Sequence, residues 1–551
     1  MAKEKARKSA ARKRSAKSGT AAGAKAAAAA SSPPANQRER AFTPDVLDTT
    51  TIALPLLNDL NAKNGTARVY DIIVDVNRDY PGGRDKAQQE IKDLIDELVG
   101  AHGLNCKEQG VHVRKTGMTR QYVFGRLRGD LIQELVQKDR EKAKRAGADH
   151  ERKPALYRIW PDFEVSRMTC RSLATVKADA ARNAFSAFGD GIVWAVLDSG
   201  IDKAHLHFQT HKNLALPTPL RHCDFTTFGE LSEDQSERAA LTDEAGHGTH
   251  VAGIIAGELR EGGGDERLGP IKINATVNRK DEHGEVIEEQ LDVKAISGMA
   301  PACKLISFKV LDKNGKGPVS NLIAACERIQ EINGNGRYIR IHGVNMSVGY
   351  DFEPSWFACG QSPLCVEVDR LVRAGVVVVV AAGNTGYGWN QSAFRGAVAA
   401  GMDLTINDPG NAEGALTVGS THRDMPHVYG VSYFSSKGPT GDGRLKPDLV
   451  APGEKIISCQ IGGNAAAAGG GSVGAAKTNV IEALYREDSG TSMAAPHVSG
   501  VIAAFLSIRR EFIGRPDRVK EIFMATATDL RRDRYFQGCG LVDLMRAIQS
   551  V

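Results

Sequence analysis

Residues 488–500 read DSGTSMAAPHVSG, and the apolar run that begins at Met493 continues to Ile508. The run is long and apolar enough to predict a buried helix, with Ser492 at its start. Pro496 lies inside this predicted helix, although a proline in a helix interior costs about 3 kcal/mol because it removes a backbone donor and clashes with the preceding turn. We therefore expect packing within the domain, and not helix propensity, to hold this segment in place.

Upstream of this segment, short apolar runs alternate with amphipathic helical patterns. The apolar runs are typical of strands covered on both faces; they are GIVWAVL, KLISFKVL, IHGVNMSV, VVVVVAAG and ALTVGS. The segments with helical spacing lie between them and read HGTHVAGIIAGEL, SNLIAACERIQEI and LCVEVDRLVRAG. This alternation predicts an α/β fold, in which a doubly wound parallel sheet carries helices on both faces. In such sheets, active groups gather beyond the carboxyl ends of the strands.

The pattern divides the chain into four parts. Residues 1–40 hold eleven Lys or Arg against two Glu and little to bury, which predicts a disordered basic tail. Its charge favours contact with polyanions such as nucleic acid, and a purely solubilising tail is the alternative. Residues 41–165 predict a small α+β domain with the order strand, helix, strand, helix, strand. Residues 166–187 predict a linker, and residues 188–551 predict the α/β domain.

The composition argues against several classes of protein. No apolar run approaches the roughly 18 residues of a membrane-spanning helix, and the N-terminus lacks the apolar core of a secretory signal. We therefore expect no transmembrane segment, and a cytoplasmic location is favoured. The nine cysteines contain no CxxC pair, which favours reduced thiols. Cys359 and Cys365 could still bridge a small loop.

Three polar residues lie where the predicted α/β domain would collect its chemistry. Asp198 follows a strand run immediately, His247 lies where glycines give way to a helix, and Ser492 begins the apolar helix. Each alone has an ordinary interpretation as a turn residue or a helix cap. Together, in the order Asp, His, Ser, they predict an orienting carboxylate, an imidazole base and a hydroxyl nucleophile. A helix N-terminus also stabilises an oxyanion formed beside it.

A metal site is the competing interpretation of the histidines. His247 and His250 form an HxxH pair, but no third ligand is recognisably placed nearby. We therefore predict a structural role for His250, and neither a metal nor a cofactor. The sequence DEHGE, within residues 258–297, predicts a hairpin turn.

The region from residue 188 to 551 resembles the subtilisin-type (subtilase) serine peptidases. The motifs AVLDSGID, GHGTHVAG, AAGN and GTSMAAPHVSG match in order and context, and GMAP, NMSVG and YFSSKGPTGDGRLKPDLVAPG add to the match. The resemblance implies a serine endopeptidase that cleaves proteins or peptides through an acyl-enzyme. It implies that Asp198 orients the imidazole, His247 is the general base and Ser492 is the nucleophile. Asn384 would donate its amide to the oxyanion.

The resemblance also implies how substrate binds and how the chain matures. A peptide would add as a strand between two extended edges. These edges are Ser347, Val348 and Gly349 on one side and Ala381, Ala382 and Gly383 on the other. Residues 41–165 resemble a propeptide, which implies self-processing between Val165 and Thr175.

Calcium binding and a second function are the other interpretations of the sequence. The stretch 258–297 is longer than the calcium-binding loop usual in this family and has no recognisable ligand pattern, so we do not predict calcium. The alternative function is a catalytically silent or nucleic-acid-associated binding protein on the same fold. We expect a monomer in either case.

Overall fold

The structure of the protein is a computed structural model. It describes residues 51–105, 108–145, 153–162, 171–227, 229, 231–261, 271–281, 285–353, 355, 358–392, 396–462 and 481–551. The predicted basic tail, residues 1–40, lies outside the described residues, and so do residues 163–170 of the predicted cleavage region.

The described strands are numbered in chain order. They are β1 (Val69–Val76), β2 (Gly110–Val111), β3 (Tyr122–Arg128), β4 (Leu156–Pro161), β5 (Val193–Asp198), β6 (Cys223–Asp224), β7 (Glu258–Arg260), β8 (Ile271–Lys280), β9 (Val286–Asp292), β10 (Ala295–Ser297), β11 (Lys304–Lys309), β12 (Gly343–Met346), β13 (Val377–Ala381), β14 (Tyr387–Ser392), β15 (Gly396–Gly401), β16 (Leu416–His422), β17 (Leu449–Glu454), β18 (Ile456–Cys459) and β19 (Ile481–Asp488).

The described α-helices are numbered in the same way. They are α1 (Leu54–Asn61), α2 (Gly83–Ala101), α3 (Val113–Thr116), α4 (Gly129–Arg145), α5 (Arg171–Thr175), α6 (Ala178–Phe185), α7 (Glu233–Ala240), α8 (His247–Ile255), α9 (Val319–Ile332), α10 (Pro363–Arg373), α11 (Pro426–Tyr429), α12 (Thr491–Ile508), α13 (Pro516–Thr526), α14 (Arg534–Gln537) and α15 (Leu544–Gln549). We call α8 the histidine helix and α12 the serine helix.

The N-terminal elements form a four-stranded sheet in the order β2-β3-β1-β4, with antiparallel pairing throughout. Helix α2 buries a stripe with spacings of three and four, which includes Ile91, Leu94, Ile95 and Leu98. The predicted order of strand, helix, strand, helix, strand is confirmed. The short strand β2 and the short helices α1 and α3 were missed, because so few residues carry little periodic signal.

The main sheet has seven parallel strands in the order β17-β16-β13-β12-β5-β11-β6. Strand β5 lies between β11 and β12, which both follow it in the chain, so the strand order reverses beside it. Asp198 ends β5, and Ser347 comes directly after β12. The switch point of an open parallel sheet is where ligands bind, at the carboxyl ends of the strands. These two residues therefore lie at the expected place.

The two faces of the main sheet belong to two separate apolar cores. In β5, Trp194 and Val196 face the core that contains the histidine and serine helices. The alternate residues Ala195 and Leu197 face the core that contains α9 and α10. Successive strand residues point to opposite faces, so helices cover both sides. The predicted doubly wound α/β fold is confirmed.

The serine helix is the one described helix long and apolar enough to cross a membrane, and 83% of it is buried inside the fold. The expectation that no apolar run approaches the length of a membrane-spanning helix is therefore wrong for this helix. Because most of it is buried, it packs as a helix of the core. The sulfurs of Cys359 and Cys365 are both free, so the small bridged loop is not formed.

The predicted linker, residues 166–187, differs from what the structure shows. Its described part, residues 171–187, contains α5 and α6. Leu173 and Val176 are 2% and 0% exposed and belong to the core of the serine helix. The two helices are short, so their periodic signal is weak, but their apolar side chains attach this segment to the α/β core before residue 188.

A second sheet lies beside the main one, in the order β18-β19-β8-β9. Strands β8 and β9 form an antiparallel hairpin, and the Asp281 N–H donates to the Glu285 carbonyl at 2.9 Å. The predicted hairpin at DEHGE is thus confirmed. Strand β19 pairs in parallel with β8 and ends at Asp488, four residues before Ser492. The sequence did not predict this sheet.

Candidate active site

Asp198 and His247 form the first part of the site. His247 is the first residue of the histidine helix, and its Nδ1 lies 2.8 Å from Asp198 Oδ1. The Asp198 side chain is 1% exposed, whereas that of His247 is 29% exposed. Burial lowers the pKa of His247, but the charge and hydrogen bond of Asp198, with smaller contributions from other carboxylates, raise the pKa overall. Because Nδ1 is taken, Nε2 is the ring nitrogen left for chemistry.

The loop before His247 is held by Asp243, a buried residue that sequence reasoning missed. Its carboxylate accepts hydrogen bonds from the N–H of Gly246 and Thr249, both at 2.8 Å, and from two hydroxyls. The hydroxyls are those of Thr249, at 2.6 Å, and Ser199, at 2.9 Å. Gly246 has a φ of 81°, a left-handed conformation that favours glycine. Asp243 thereby fixes the turn that aims the histidine helix, and the only sequence signal was an aspartate just ahead of a helix.

Ser492 lies in the first turn of the serine helix, next to Ser347. A helix residue normally donates its N–H to the carbonyl four residues earlier. Pro496 has no N–H, so the Ser492 carbonyl has no such donor. The Ser347 hydroxyl donates to this carbonyl instead, at 2.8 Å, and the Ser492 hydroxyl donates to the Ser347 carbonyl at 3.0 Å. The proline therefore leaves a carbonyl that fastens the serine helix to the end of β12.

Two buried side chains support Ser347 from behind. The Asn345 side-chain amide donates to the Ser347 hydroxyl at 2.9 Å. The Ser499 hydroxyl, on the serine helix, donates to the Asn345 side-chain oxygen at 2.8 Å. All three residues are at most 4% exposed. These hydrogen bonds join the end of β12 to the serine helix at two positions, Ser492 and Ser499.

Asn384 follows β13 and is oriented by Thr491. The Asn384 side-chain oxygen accepts from the Thr491 N–H at 2.9 Å and from the Thr491 hydroxyl at 3.1 Å. The Thr491 hydroxyl itself accepts from the Gly383 N–H at 3.1 Å. With its oxygen occupied, Asn384 has its amide donors free to face a ligand. Thr491 was not singled out from the sequence, although it lies beside Ser492 in the same motif.

One cleft of about 920 Å³ brings most of the predicted residues together. It is lined by Glu244, Ala245, His247, Leu311, Lys313, Asn314, Gly315, Lys316, Gly317, Ser347, Val348, Gly349, Ala381, Gly383, Asn384, Thr385, Asn407, Thr491 and Ser492. Asp198 lies outside this lining, in contact with His247.

Ala382 is the predicted substrate-edge residue that does not line the cleft. It is buried, and its N–H donates to the Val418 carbonyl of the neighbouring strand at 3.0 Å. Its neighbours Ala381 and Gly383 do line the cleft. Sequence reasoning also missed the stretch from Leu311 to Gly317, which forms another wall and carries no motif.

His250 lies one turn beyond His247 and is fully buried. Its Nε2 lies 3.2 Å from the Arg486 carbonyl of β19, and desolvation lowers its pKa to about 4. Within the part of the chain that the structure describes, no group of three or more His, Cys, Asp or Glu side chains could hold a metal ion.

Comparison with known proteins places the chain in a family. A model described as the Subtilase family matches residues 189–541, and the chain belongs to that family. Serine protease AprX of Bacillus subtilis (strain 168) is 28% identical over 380 residues, which cover 67% of this chain and 69% of that protein. Subtilisin E of the same strain is 27% identical over 361 residues, 66% of each chain. These relatives support a serine protease function.

A third relative is much longer than the chain. Pyrolysin of Pyrococcus furiosus is 30% identical over 345 residues, 55% of this chain but 21% of pyrolysin. The match therefore leaves most of that protein unmatched.

Proposed function

We propose that the protein is a serine endopeptidase that uses Asp198, His247 and Ser492 as its catalytic triad. The observation that carries the proposal is the 2.8 Å contact of His247 with Asp198 at the cleft that Ser492 also lines. A carboxylate behind an imidazole, with a serine hydroxyl in the same cleft, is the arrangement that activates a hydroxyl for attack on a carbonyl.

Catalysis begins when a peptide lies along the edge Ser347–Gly349. The Ser492 hydroxyl then leaves the Ser347 carbonyl and bonds to His247 Nε2. His247 takes the proton while Ser492 Oγ forms a bond to the scissile carbonyl carbon, and the carbonyl π electrons move to its oxygen. His247 then gives the proton to the leaving amine, and the carbon–nitrogen bond breaks. Water repeats the sequence on the acyl-enzyme and releases the acid product.

The negative oxygen of the tetrahedral intermediate needs donors placed in advance. The Asn384 amide and the Ser492 N–H supply them, because the first N–H groups of a helix have no intrahelical partner. The positive end of the serine helix adds to this stabilisation. Asp198 keeps Nδ1 protonated and stabilises the imidazolium that forms.

Hydrolysis of denatured casein by the wild type and by Ser492→Ala tests this function. We expect cleavage by the wild type and none by the variant, since alanine removes the nucleophile and fills the same space. Equal cleavage by both proteins would show that Ser492 is not the nucleophile, and no cleavage by the folded wild type would support the silent binding protein.

We also propose that residues 41–165 act as a propeptide and that the chain cuts itself between Val165 and Thr175. Support comes from the antiparallel sheet with its two long helices, α2 and α4, and from its last strand, β4, which leads into this region. The cleft lining runs from Glu244 to Ser492 and includes no described residue of the N-terminal sheet. The proposal therefore includes a further step, in which the end of residues 41–165 that cleavage creates docks in the cleft.

Intact mass after expression tests self-processing. The wild type should convert from the 59.1 kDa chain to a shorter form, whereas Ser492→Ala should keep its full length. Deletion of residues 41–165 should leave the rest poorly folded, because parallel sheets fold slowly through non-local contacts. If the deleted form folds and cleaves normally, the segment is an accessory domain.

The basic tail, residues 1–40, is proposed to bind polyanions without taking part in catalysis. Eleven positive charges should give binding that weakens steeply with salt and does not depend on sequence. Loss of peptidase activity at every salt concentration after its deletion would contradict this role.

A further inference from the structure

The loop after β11 brings two lysines into the cleft. Lys313 and Lys316 both line it, and both are exposed. Neither forms an ion pair with any residue in the described part of the chain. Unpaired ammonium groups at a binding cleft are available to a charged ligand.

The backbone that carries these lysines is held by Asp312. Its carboxylate Oδ1 accepts from the Asn314 N–H at 2.9 Å and from the Lys316 N–H at 3.0 Å. The Asp312 N–H donates to the Lys316 carbonyl at 2.8 Å. The carboxylate is therefore engaged with the loop backbone, and the turn is closed at both ends. Fixed backbone positions reduce the entropy that the lysines lose when they bind a partner.

The cleft lining has little negative charge to oppose them. Glu244 is its only carboxylate among the described residues, and its Oε2 lies 3.9 Å from the ammonium of Lys309. Lys309 is 6% exposed and does not line the cleft. Apart from His247, the remaining lining residues are uncharged. The cleft therefore favours anionic groups along the loop.

We propose that Lys313 and Lys316 select substrates with Asp or Glu side chains near the scissile bond. The inference rests on the proposed peptidase function and adds a substrate class to it: acidic segments of proteins. The sequence ahead of the predicted cleavage region is consistent with this, because Asp162 and Glu164 precede Val165.

The test uses fluorogenic octapeptides on the wild-type protein. The cleaved bond is first located in a neutral parent peptide, and Asp or Lys is then placed singly at each of the other positions. We expect Asp to exceed Lys in kcat/KM by about threefold to tenfold at one or more positions, the range that one or two exposed ion pairs supply. The preference should shrink between 0.05 and 0.5 M salt, because salt screens exposed charges.

The double variant Lys313→Glu, Lys316→Glu should reverse the preference at those same positions. The matched control is Lys280→Glu, Lys294→Glu, which makes the same change in net charge at two exposed lysines outside the cleft lining. The control should keep the wild-type preference. Equal kcat/KM for Asp and Lys peptides in the wild type, or the same preference in both double variants, would overturn the inference.

The neutral parent peptide separates the two proposals. If the wild type cleaves it without any charge preference, the substrate class is wrong and the peptidase function stands. If the folded wild type cleaves no peptide of the series, the peptidase function fails and this inference fails with it.

Discussion

Two sheets position the catalytic groups in different ways. One is the main seven-stranded sheet at its carboxyl edge, and the other is the second sheet, β18-β19-β8-β9. Asp198 ends a strand that is buried along its whole length between two other strands. Ser492, in contrast, follows β19, whose consecutive residues contact three buried histidines. His205 Nε2 lies 3.0 Å from the Leu484 carbonyl, His207 Nδ1 lies 3.1 Å from the Tyr485 hydroxyl, and His250 Nε2 lies 3.2 Å from the Arg486 carbonyl.

This difference predicts which substitutions should lower catalytic activity and which should lower the stability of the fold. The residues at the edge of the main sheet line the cleft or, like Asp198, contact its histidine, so their loss should remove chemistry and leave the fold. The histidines behind β19 face the interior, so their loss should weaken the fold and affect chemistry only through it. The following predictions test that separation, from the largest effect to the smallest.

Replacement of His247 by alanine should have the largest effect. We expect kcat to fall by about 10⁶-fold, the magnitude that loss of this base has in subtilisin. Circular dichroism and the urea midpoint should stay near the wild-type values, because the side chain is 29% exposed and lines the cleft. A variant that keeps a tenth of the activity would remove His247 from the mechanism.

Replacement of Asn384 by alanine should have an intermediate effect on catalysis. We expect kcat to fall by about 10²- to 10³-fold, a magnitude taken from the equivalent donor in subtilisin. Asn314→Ala, which removes another side-chain amide from the cleft lining, serves as the control and should stay within about threefold. Equal losses in the two variants would show that the oxyanion is stabilised elsewhere.

Replacement of His207 by alanine should act on stability. His207 is buried, and its Nε2 also lies 3.2 Å from the Gly253 carbonyl of the histidine helix. The cavity and the unpaired groups should lower the free energy of unfolding by about 2–4 kcal/mol, measured by urea titration. His427→Ala, at an exposed site, should change it by less than about 0.5 kcal/mol. Activity of the folded His207 variant should remain within a few fold of the wild type; a loss like that of Asn384→Ala would refute the separation.

Low pH should also lower the stability of the fold, because His207 and His250 are buried in their neutral form. Desolvation lowers the pKa of His207 to about 3 and that of His250 to about 4, below the ordinary histidine value of 6.5. Below pH 6.5 the unfolded chain binds protons that the folded chain does not, so stability falls as pH drops until the folded pKa values are reached. For each histidine, the free energy of unfolding should fall by roughly 1.6 kcal/mol between pH 6.5 and 5. Urea titrations at both pH values should show a smaller loss in His207→Ala; an equal loss would exclude His207 as a source.

The sequence predicted the main-sheet edge well and the neighbouring sheet poorly, for physical reasons. The apolar runs that end at Asp198 and before Asn384 are local signals, because a strand buried on both faces needs apolar side chains along its length. Strand β19 pairs with β8, which lies 210 residues earlier in the register Ile481↔Ile271. No local pattern specifies a partner at that distance. The contact that uses the carbonyl freed by Pro496 was likewise visible only once Ser347 was placed beside it.

The central claim is that Ser492 is a nucleophile activated by His247. A fluorophosphonate probe that reacts with activated serines measures this directly, with the labelled residue located by peptide mass. We expect one label per chain on Ser492 and a rate that rises about tenfold per pH unit up to the raised pKa of His247, because only the neutral imidazole accepts the serine proton. Absence of label on the folded wild type, label on another residue, or a flat rate from pH 5 to 9 would contradict the account.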